Sequence, residues 1–292
     1  LGDPEWLPHP VRWFGALTSQ GERVARRWCC SPVSELIAGA AVTAAIVCSG
    51  AVIGSPKDEL WQALLGWSAL ATRSLLNEAR AVVRAIEAGD IGLARQRLAR
   101  IVGRDTELLD EPEIARATIE TLAESACDGI VAPLFWLALG GARAGLAYKA
   151  INTLDSMIGH PEPPYRYFGL AAARLDDAAS FIPARLTALA IAAAALVTRR
   201  NARDALLVWH RDGGRHASPN AGQSESAMAG TLGVRLGGIN TYGGQMHASP
   251  LLNAEARLPN VADIQRAISH VAVVSALAFG AALLFTAVRG RR

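Results

Sequence analysis

The sequence predicts an all-α, polytopic helical membrane protein with cytosol-facing helical and loop regions, and three observations carry that prediction. Of the 292 residues, 51% are hydrophobic and only 19% are charged, a balance unlike that of soluble domains of this length. Two runs of spanning length lack interior charge: "ELIAGAAVTAAIVCSGAVIG" (35–54) has one acidic residue near its edge, and "HVAVVSALAFGAALLFTAV" (270–288) has no Asp, Glu, Lys or Arg. As a helix, each can cross the roughly 30 Å of bilayer hydrocarbon. Finally, arginines gather beside the apolar runs, at Arg23, Arg26 and Arg27, at Arg199, Arg200 and Arg203, and at Arg289, Arg291 and Arg292. Membrane flanks account for that clustering, and a net charge of +3 gives no reason to expect a nucleic-acid partner.

The elements follow in order. "LGDPEWLPHP" reads as loop. It has no basic n-region before an apolar core, so no signal peptide is expected in it, and with Leu at position 1 an upstream segment stays open. After the 35–54 span, a weaker membrane segment is expected over 60–76. From 77 to 128 the chain is polar. There "NEARAVVRAIEAGDIGLARQRLARIVGR" has helical periodicity interrupted at Gly89-Asp90. "LDEPEIARATIETLAESACDG" then opens a helix with Asp110 as N-cap, Pro112 in the first turn and Glu113 three residues after the cap.

A further membrane segment, 129–147, is interrupted by Pro133, Gly140, Gly141 and Arg143 and is expected to be re-entrant. If it and 182–198 both crossed, the polar block 148–180 would lie on the side opposite the blocks 77–128 and 204–265. The 204–265 block, rich in Gly, Ser, Asn and Pro, reads mostly as loop with short helices. One membrane-embedded domain over 1–292 is expected, without internal repeats. Cys29, Cys30, Cys48 and Cys127 lack metal-ligand spacing and are expected to be free thiols on a reducing side.

Four clusters have residue types suited to chemistry. On the 110–128 helix, Glu113, Arg116, Glu120, Glu124 and Asp128 fall within about a third of the circumference. Such a stripe can bind Mg²⁺ or a substrate, or can simply be a solvated face. In "YKAINTLDSMIGH", Lys149, Asn152 and Ser156 share a face, with Asp155 beside Asn152. Lys149 is one of only two lysines, the other being Lys57, in a chain that otherwise uses Arg. A compact ammonium suits a phosphoryl oxygen, although an interfacial Lys can also snorkel out of the membrane. "AARLDDAASFIPARL" places Arg174, Asp176, Asp177 and Arg185 at the entrance to an apolar run, where they can hold Mg²⁺-phosphate or form local caps and ion pairs. "RHASPNAGQSESAMAG" joins a turn to a small-residue helix with Glu225 expected in its first turn, an arrangement that can bind an anion or be only a loop. The sequence has no P-loop, GxGxxG, HExxH or GxSxG motif, and its six histidines are scattered.

Several blocks occur in order: "LGDPEWLPHPVRWFG", "RDTELLDEPEIARATIETLAESACDGIVAPLFWLALGG", "AYKAINTLDSMIGH", "YRYFGLAAARLDDAASFIPARLTAL" and "HASPNAGQSESAMAGTLGVRLGG". Together they resemble the adenosylcobinamide-phosphate synthase family of cobalamin biosynthesis, from Leu1 to about Tyr242. The resemblance implies a multi-pass protein of the cell (inner or plasma) membrane. It also implies a reaction in which ATP drives amide-bond formation between adenosylcobyric acid and (R)-1-amino-2-propanol or its O-phosphate. Mg²⁺ would be the cofactor, ATP and the adenosylcorrinoid would be substrates, and the lipid bilayer the surroundings. A homo-oligomer or association with other corrinoid enzymes is a further expectation.

On the matched blocks, Lys149 and Arg174 are expected at phosphate oxygens, and Asp155, Asp176 and Asp177 at Mg²⁺. Glu124, Asp128 or Glu225 is the expected general base. Arg104, Asn152, Ser156, Ser218 and Asn220 complete the expected substrate and phosphate contacts. Two departures stand out. Glu124-Ser125 occupies a place where the family usually has Glu-Asn, and "INTYGGQMHASPLLN" after Gly238 matches weakly. The competing readings are a transporter with Arg185 on its path, a membrane prenyltransferase, whose paired Asp-x-x-x-Asp motifs are missing, and a non-catalytic corrinoid-binding scaffold.

Overall fold

The computed structural model describes residues 10–56 and 58–290. The loop reading of residues 1–9, Lys57 and the flanking Arg291 and Arg292 lie outside the described residues. Among those described, four helical stretches are long and apolar enough to cross a membrane: Pro32–Ile53, Glu111–Ile158, Leu170–Val197 and Val261–Arg289. The protein is a helical membrane protein, and none of its four cysteines is disulfide-bonded.

The chain folds as two compact units. The first runs up to Leu70, resumes over Ala132–Phe181 and takes the chain from Ala282 on; the second comprises Ala71–Val131 and Ile182–Ala281.

In the first unit, α1 (Pro10–Ala25) leads to α2 (Pro32–Ile53), whose first turn carries Pro32 behind a Ser31–Ser34 capping box. The buried face of α2 recurs at Gly39, Thr43, Ile46 and Gly50, of which Gly39, Thr43 and Gly50 are small residues that let membrane helices approach closely. A short helix, α3 (Glu59–Ser68), is capped by Asp58. The run 60–76 is therefore not one helix, because the chain breaks after α3 and Ala71 N–H donates to Gly129 O at 2.9 Å instead of to the preceding turn. The long α7 (Ala132–Ile158) contributes Leu146, Ala150, Leu154 and Ile158 to a core with Phe14, Ile46 and Phe168.

That helix is broken at Gly140-Gly141, where Gly141 takes φ 62°, a conformation that costs an L side chain energy. The break leaves backbone groups without helical partners, and side chains replace them. Gln62 Oε1 accepts from Ala142 N–H at 2.8 Å, while its Nε2 donates to Gly54 O and Pro56 O. Arg289 Nη1 donates to Leu139 O at 2.6 Å. In a bilayer, such satisfaction is what allows irregular backbone to persist.

In the second unit, α4 (Thr72–Glu87) and α5 (Ile91–Leu98) pack around a turn at Gly89, φ 75°, with Asp90 capping α5 through Leu93 N–H. The next helix, α6 (Glu111–Ala126), starts with the Asp110–Glu113 capping box and Pro112 in its first turn, and a π-helical turn over Cys127–Val131 carries the chain into α7. α8 (Leu170–Val197) spans the boundary between the units.

The 204–265 block differs from the loop-rich expectation. It holds α9 (Ala202–Asp212), α10 (Ala221–Leu232) and an antiparallel hairpin of β1 (Leu236–Tyr242) and β2 (Gln245–Leu252), before α11 (Val261–Arg289). The hairpin turns at Gly243-Gly244, both with positive φ, which suits a tight two-residue connection.

Candidate functional site

The expected site residues divide between the units. Lys149, Asn152, Asp155, Ser156, Arg174, Asp176 and Asp177 belong to the first, and Arg104, Glu124, Asp128, Ser218, Asn220 and Glu225 to the second.

In the first unit, the second half of α7 is a regular helix, so Lys149 and Asn152 meet one turn apart, with Lys149 Nζ 3.3 Å from Asn152 Oδ1. Ser156 is exposed and its hydroxyl donates to Asn152 O, while Asp155 sits in the last turn of the helix. α8 carries the other half of this group. Tyr148 Oη, buried beside Lys149 in sequence, lies 3.2 Å from Ser180 Oγ, which donates toward Asp176 Oδ2 at 3.5 Å. This relay links the Lys149 segment to the Asp176 segment. Arg174 and Asp177 form an outward ion pair at 3.5 Å. Neither Tyr148 nor Ser180 stands out in the sequence, since a Tyr in an apolar run carries no signal beyond packing.

Asp155, Asp176 and Asp177 offer hard oxygen donors, which is the chemistry Mg²⁺ takes. Among the described residues no group of three or more His, Cys, Asp or Glu side chains could by itself hold a metal ion. A Mg²⁺ held by one or two carboxylates plus substrate phosphate oxygens needs no such cage, and carboxylate oxygens are donors of that kind.

In the second unit, α6 places Arg116 and Glu120 one turn apart, 3.2 Å between Nη1 and Oε1, and both are buried. The carboxylate stripe read from sequence is therefore not one solvated face: its middle is covered and Glu124 is left exposed. The covering element is the hairpin. Gly237 N–H donates to Glu120 Oε1 at 2.7 Å, and Arg116 Nη2 donates to Ile239 O at 3.0 Å. Arg104 Nη1 and Arg116 Nη1 both donate to Asn240 Oδ1, at 2.8 and 2.9 Å. Asp105 accepts from Gly243 and Gly244 N–H at the hairpin turn. Burial works against the charge on Arg104, yet the Glu120 carboxylate outweighs it and holds the guanidinium above its ordinary pKa.

Glu225 lies on α10, in its second turn rather than the first, and is 7% exposed. Burial pushes its carboxyl well above the ordinary value of 4.5, and the charges of Glu120 and Glu124 add to the shift. Arg104 and Arg116 oppose it. The result is a carboxyl poised to hold or accept a proton beside two fixed guanidinium groups.

Ser218 acts as the cap of α10, its Oγ accepting from Asn220 and Ala221 N–H, while the buried Asn220 makes no side-chain cap of its own. Ser218 N–H donates in turn to His216 Nδ1 at 3.0 Å. An imidazole nitrogen that accepts is unprotonated, so neutral His216 carries its proton on Nε2. Burial lowers the pKa of His216, against the pull of Glu120, and keeps it in that neutral form. The spacing His216-x-Ser218 was the only sequence signal for this arrangement.

The family described as "CobD/Cbib protein" matches residues 1–271. The chain is 44% identical over 303 aligned positions to "Cobalamin biosynthesis protein CobD" of Citrobacter koseri, covering 99% of this chain and 93% of the relative. It is 46% identical over 268 positions to the protein of the same name from Pelobacter propionicus, covering 88% and 82%. "Cobalamin biosynthesis protein CbiB" of Salmonella typhimurium is 40% identical over 301 positions, covering 98% and 93%. No solved structure matches.

Proposed function

Because the chain belongs to the CobD/CbiB family of cobalamin biosynthesis proteins, we propose that it is the ATP-dependent ligase of that pathway's aminopropanol step. It joins the free propionate carboxylate of adenosylcobyric acid to (R)-1-amino-2-propanol or its O-phosphate, in the cell membrane. The family match carries the pathway, and the placing of the Lys149 ammonium 3.3 Å from Asn152 Oδ1, in a segment joined through Tyr148 and Ser180 to Asp176, is the observation that supports the chemistry.

A carboxylate does not condense with an amine unaided. In the proposed route a carboxylate oxygen attacks the γ-phosphorus of ATP and ADP leaves. The amine nitrogen then attacks the acyl carbon, phosphate departs with the carboxylate oxygen, and a base takes the proton from nitrogen. Lys149 and Arg174 meet phosphate oxygens. Asp155, Asp176 and Asp177 would hold Mg²⁺, which supplies neutralisation of phosphate charge when bound. Of the three candidate bases, Glu225 is favoured over Glu124 and Asp128, since burial raises its proton affinity toward that of a working base. In the first unit Asn152 and Ser156 are the proposed phosphate contacts; in the second, Arg104, Ser218 and Asn220 are the proposed substrate contacts, with the neutral His216 as an added donor.

Purified protein in detergent is given adenosylcobyric acid, aminopropanol phosphate, ATP and Mg²⁺, and corrinoid products are read by mass spectrometry. Amide product with ADP and phosphate is the expected result. Amide with AMP would replace the acyl phosphate by an adenylate, and corrinoid binding without product would favour a scaffold.

A further inference from the structure

The second unit holds another group of charges, at the junction where α8 ends and α11 begins. The two helices meet there: His270 Nε2 lies 2.9 Å from Ile191 O, and Thr198 Oγ1 lies 3.3 Å from His270 Nδ1. Just beyond the end of α8 stands Arg200, and one turn before His270 stands Arg266. Among the described residues the carboxylate that acts on Arg200 is Asp263, in the first turn of α11. Asp263 is already engaged. It accepts two bonds from Arg257 at 2.6 and 2.8 Å, one from Arg266 at 3.1 Å and one from Asn260 N–H at 3.0 Å.

Three guanidinium groups therefore share one carboxylate. Among the described residues Arg200 makes no side-chain hydrogen bond, and its Nε is buried without an acceptor. Burial, with repulsion from Arg266, pulls the Arg200 pKa below its ordinary value, and Asp263 does not make up the difference. A cation near a helix C-terminus is favourable in general. That accounts for an Arg at this position but not for a buried N–H with nothing to accept it, since such groups in native proteins nearly always find a partner.

We propose that this junction binds a phosphate group, and that the phosphate belongs to an anionic phospholipid headgroup. Guanidinium groups match phosphate oxygens in geometry and charge. The place favours lipid over a soluble anion. From the junction α8 and α11 both enter their apolar stretches, so it lies at the depth of headgroups, where basic pockets between membrane helices recognise anionic lipids.

The test uses the full chain in neutral detergent, with phosphatidylglycerol or phosphatidylcholine added. Native mass spectrometry reads the fraction of protein carrying one phospholipid. Wild-type protein is expected to retain phosphatidylglycerol over phosphatidylcholine, and R200Q to lower that retention about fivefold, as for one cation at a lipid surface. R266Q should lower it similarly. R203Q, which removes an exposed arginine in the first turn of α9, should leave it unchanged. Since Arg200 has no bonded side-chain partner to lose, R200Q should keep the wild-type circular dichroism spectrum. Equal retention in R200Q and wild type overturns the site. Equal loss in R203Q reduces it to general surface charge, which also overturns it. Displacement of the lipid by millimolar inorganic phosphate overturns the lipid assignment.

Discussion

Arg104 Nη2 reaches Glu120 Oε2 at 2.6 Å, and the opposite oxygen of the same carboxylate accepts from the hairpin at Gly237. One buried carboxylate thus ties the loop before α6, α6 itself and the hairpin that follows α10. Removing it strands two guanidinium groups. The E120A variant should lose about 3 kcal/mol of stability, as for one partner of a buried ion pair, measured as a fall in thermal unfolding midpoint in detergent. A double-mutant cycle with R104A should show coupling of about 1–3 kcal/mol. Additive losses would mean the pair does not act as a unit.

Glu225 sets a pH limb. Its folded pKa lies above its unfolded value of 4.5, so the folded chain binds the proton more tightly. That contribution to stability is full below 4.5 and disappears as pH rises through the folded pKa. Catalysis by Glu225 as the proposed base runs the other way, since a base must be ionised: turnover should rise with pH above the ordinary carboxylate range. E225Q should cut turnover by a factor on the order of 10² to 10⁴ and abolish the limb. A pH profile for E225Q with the wild-type limb would assign the base elsewhere.

His216 acts in the opposite sense. Its pKa is depressed below 6.5, so its contribution to stability is present above 6.5 and is lost as pH falls toward the folded pKa. Nitrogen NMR of the imidazole should find the proton on Nε2 at neutral pH. A proton on Nδ1 would contradict the Ser218 contact.

The break in α7 rests on Gln62. Q62L should leave Ala142 N–H without its partner and cost about 1–3 kcal/mol, seen as a lower unfolding midpoint. G141A should also destabilise, because an alanine at φ 62° is strained by about 1 kcal/mol and its Cβ would stand 3.1 Å from Gln62 Oε1. An unchanged midpoint in both would mean the break is held by something else.

Lys149 is the expected phosphate cation. K149A should lower kcat by roughly 10² to 10³ with corrinoid binding retained, the loss typical of one transition-state electrostatic contact. K149R should recover only part of it, because a planar fork replaces a compact charge. Unchanged turnover in K149A removes the role.

The apolar runs announced α2, α8 and α11, and the Asp110–Glu113 box announced the start of α6, because those signals are local. Gly140 and Gly141 likewise marked the break in α7. The hairpin is hard to read from sequence because glycines and Pro250 interrupt its alternation, although the Gly243-Gly244 pair between two short runs is a usable turn signal. The fate of Arg116 and Glu120 was not legible at all. Their hairpin partners lie 117 to 124 residues further along the chain, and nothing in a helical stripe says that a distant strand will cover it.

The most direct test of the central claim follows oxygen from the corrinoid carboxylate. Adenosylcobyric acid labelled with ¹⁸O in its free carboxylate is turned over with aminopropanol phosphate, ATP and Mg²⁺, and the released phosphate is weighed by mass spectrometry. The proposed route predicts one ¹⁸O in inorganic phosphate for each amide formed. Amide formation with no label in any phosphorus product would contradict it.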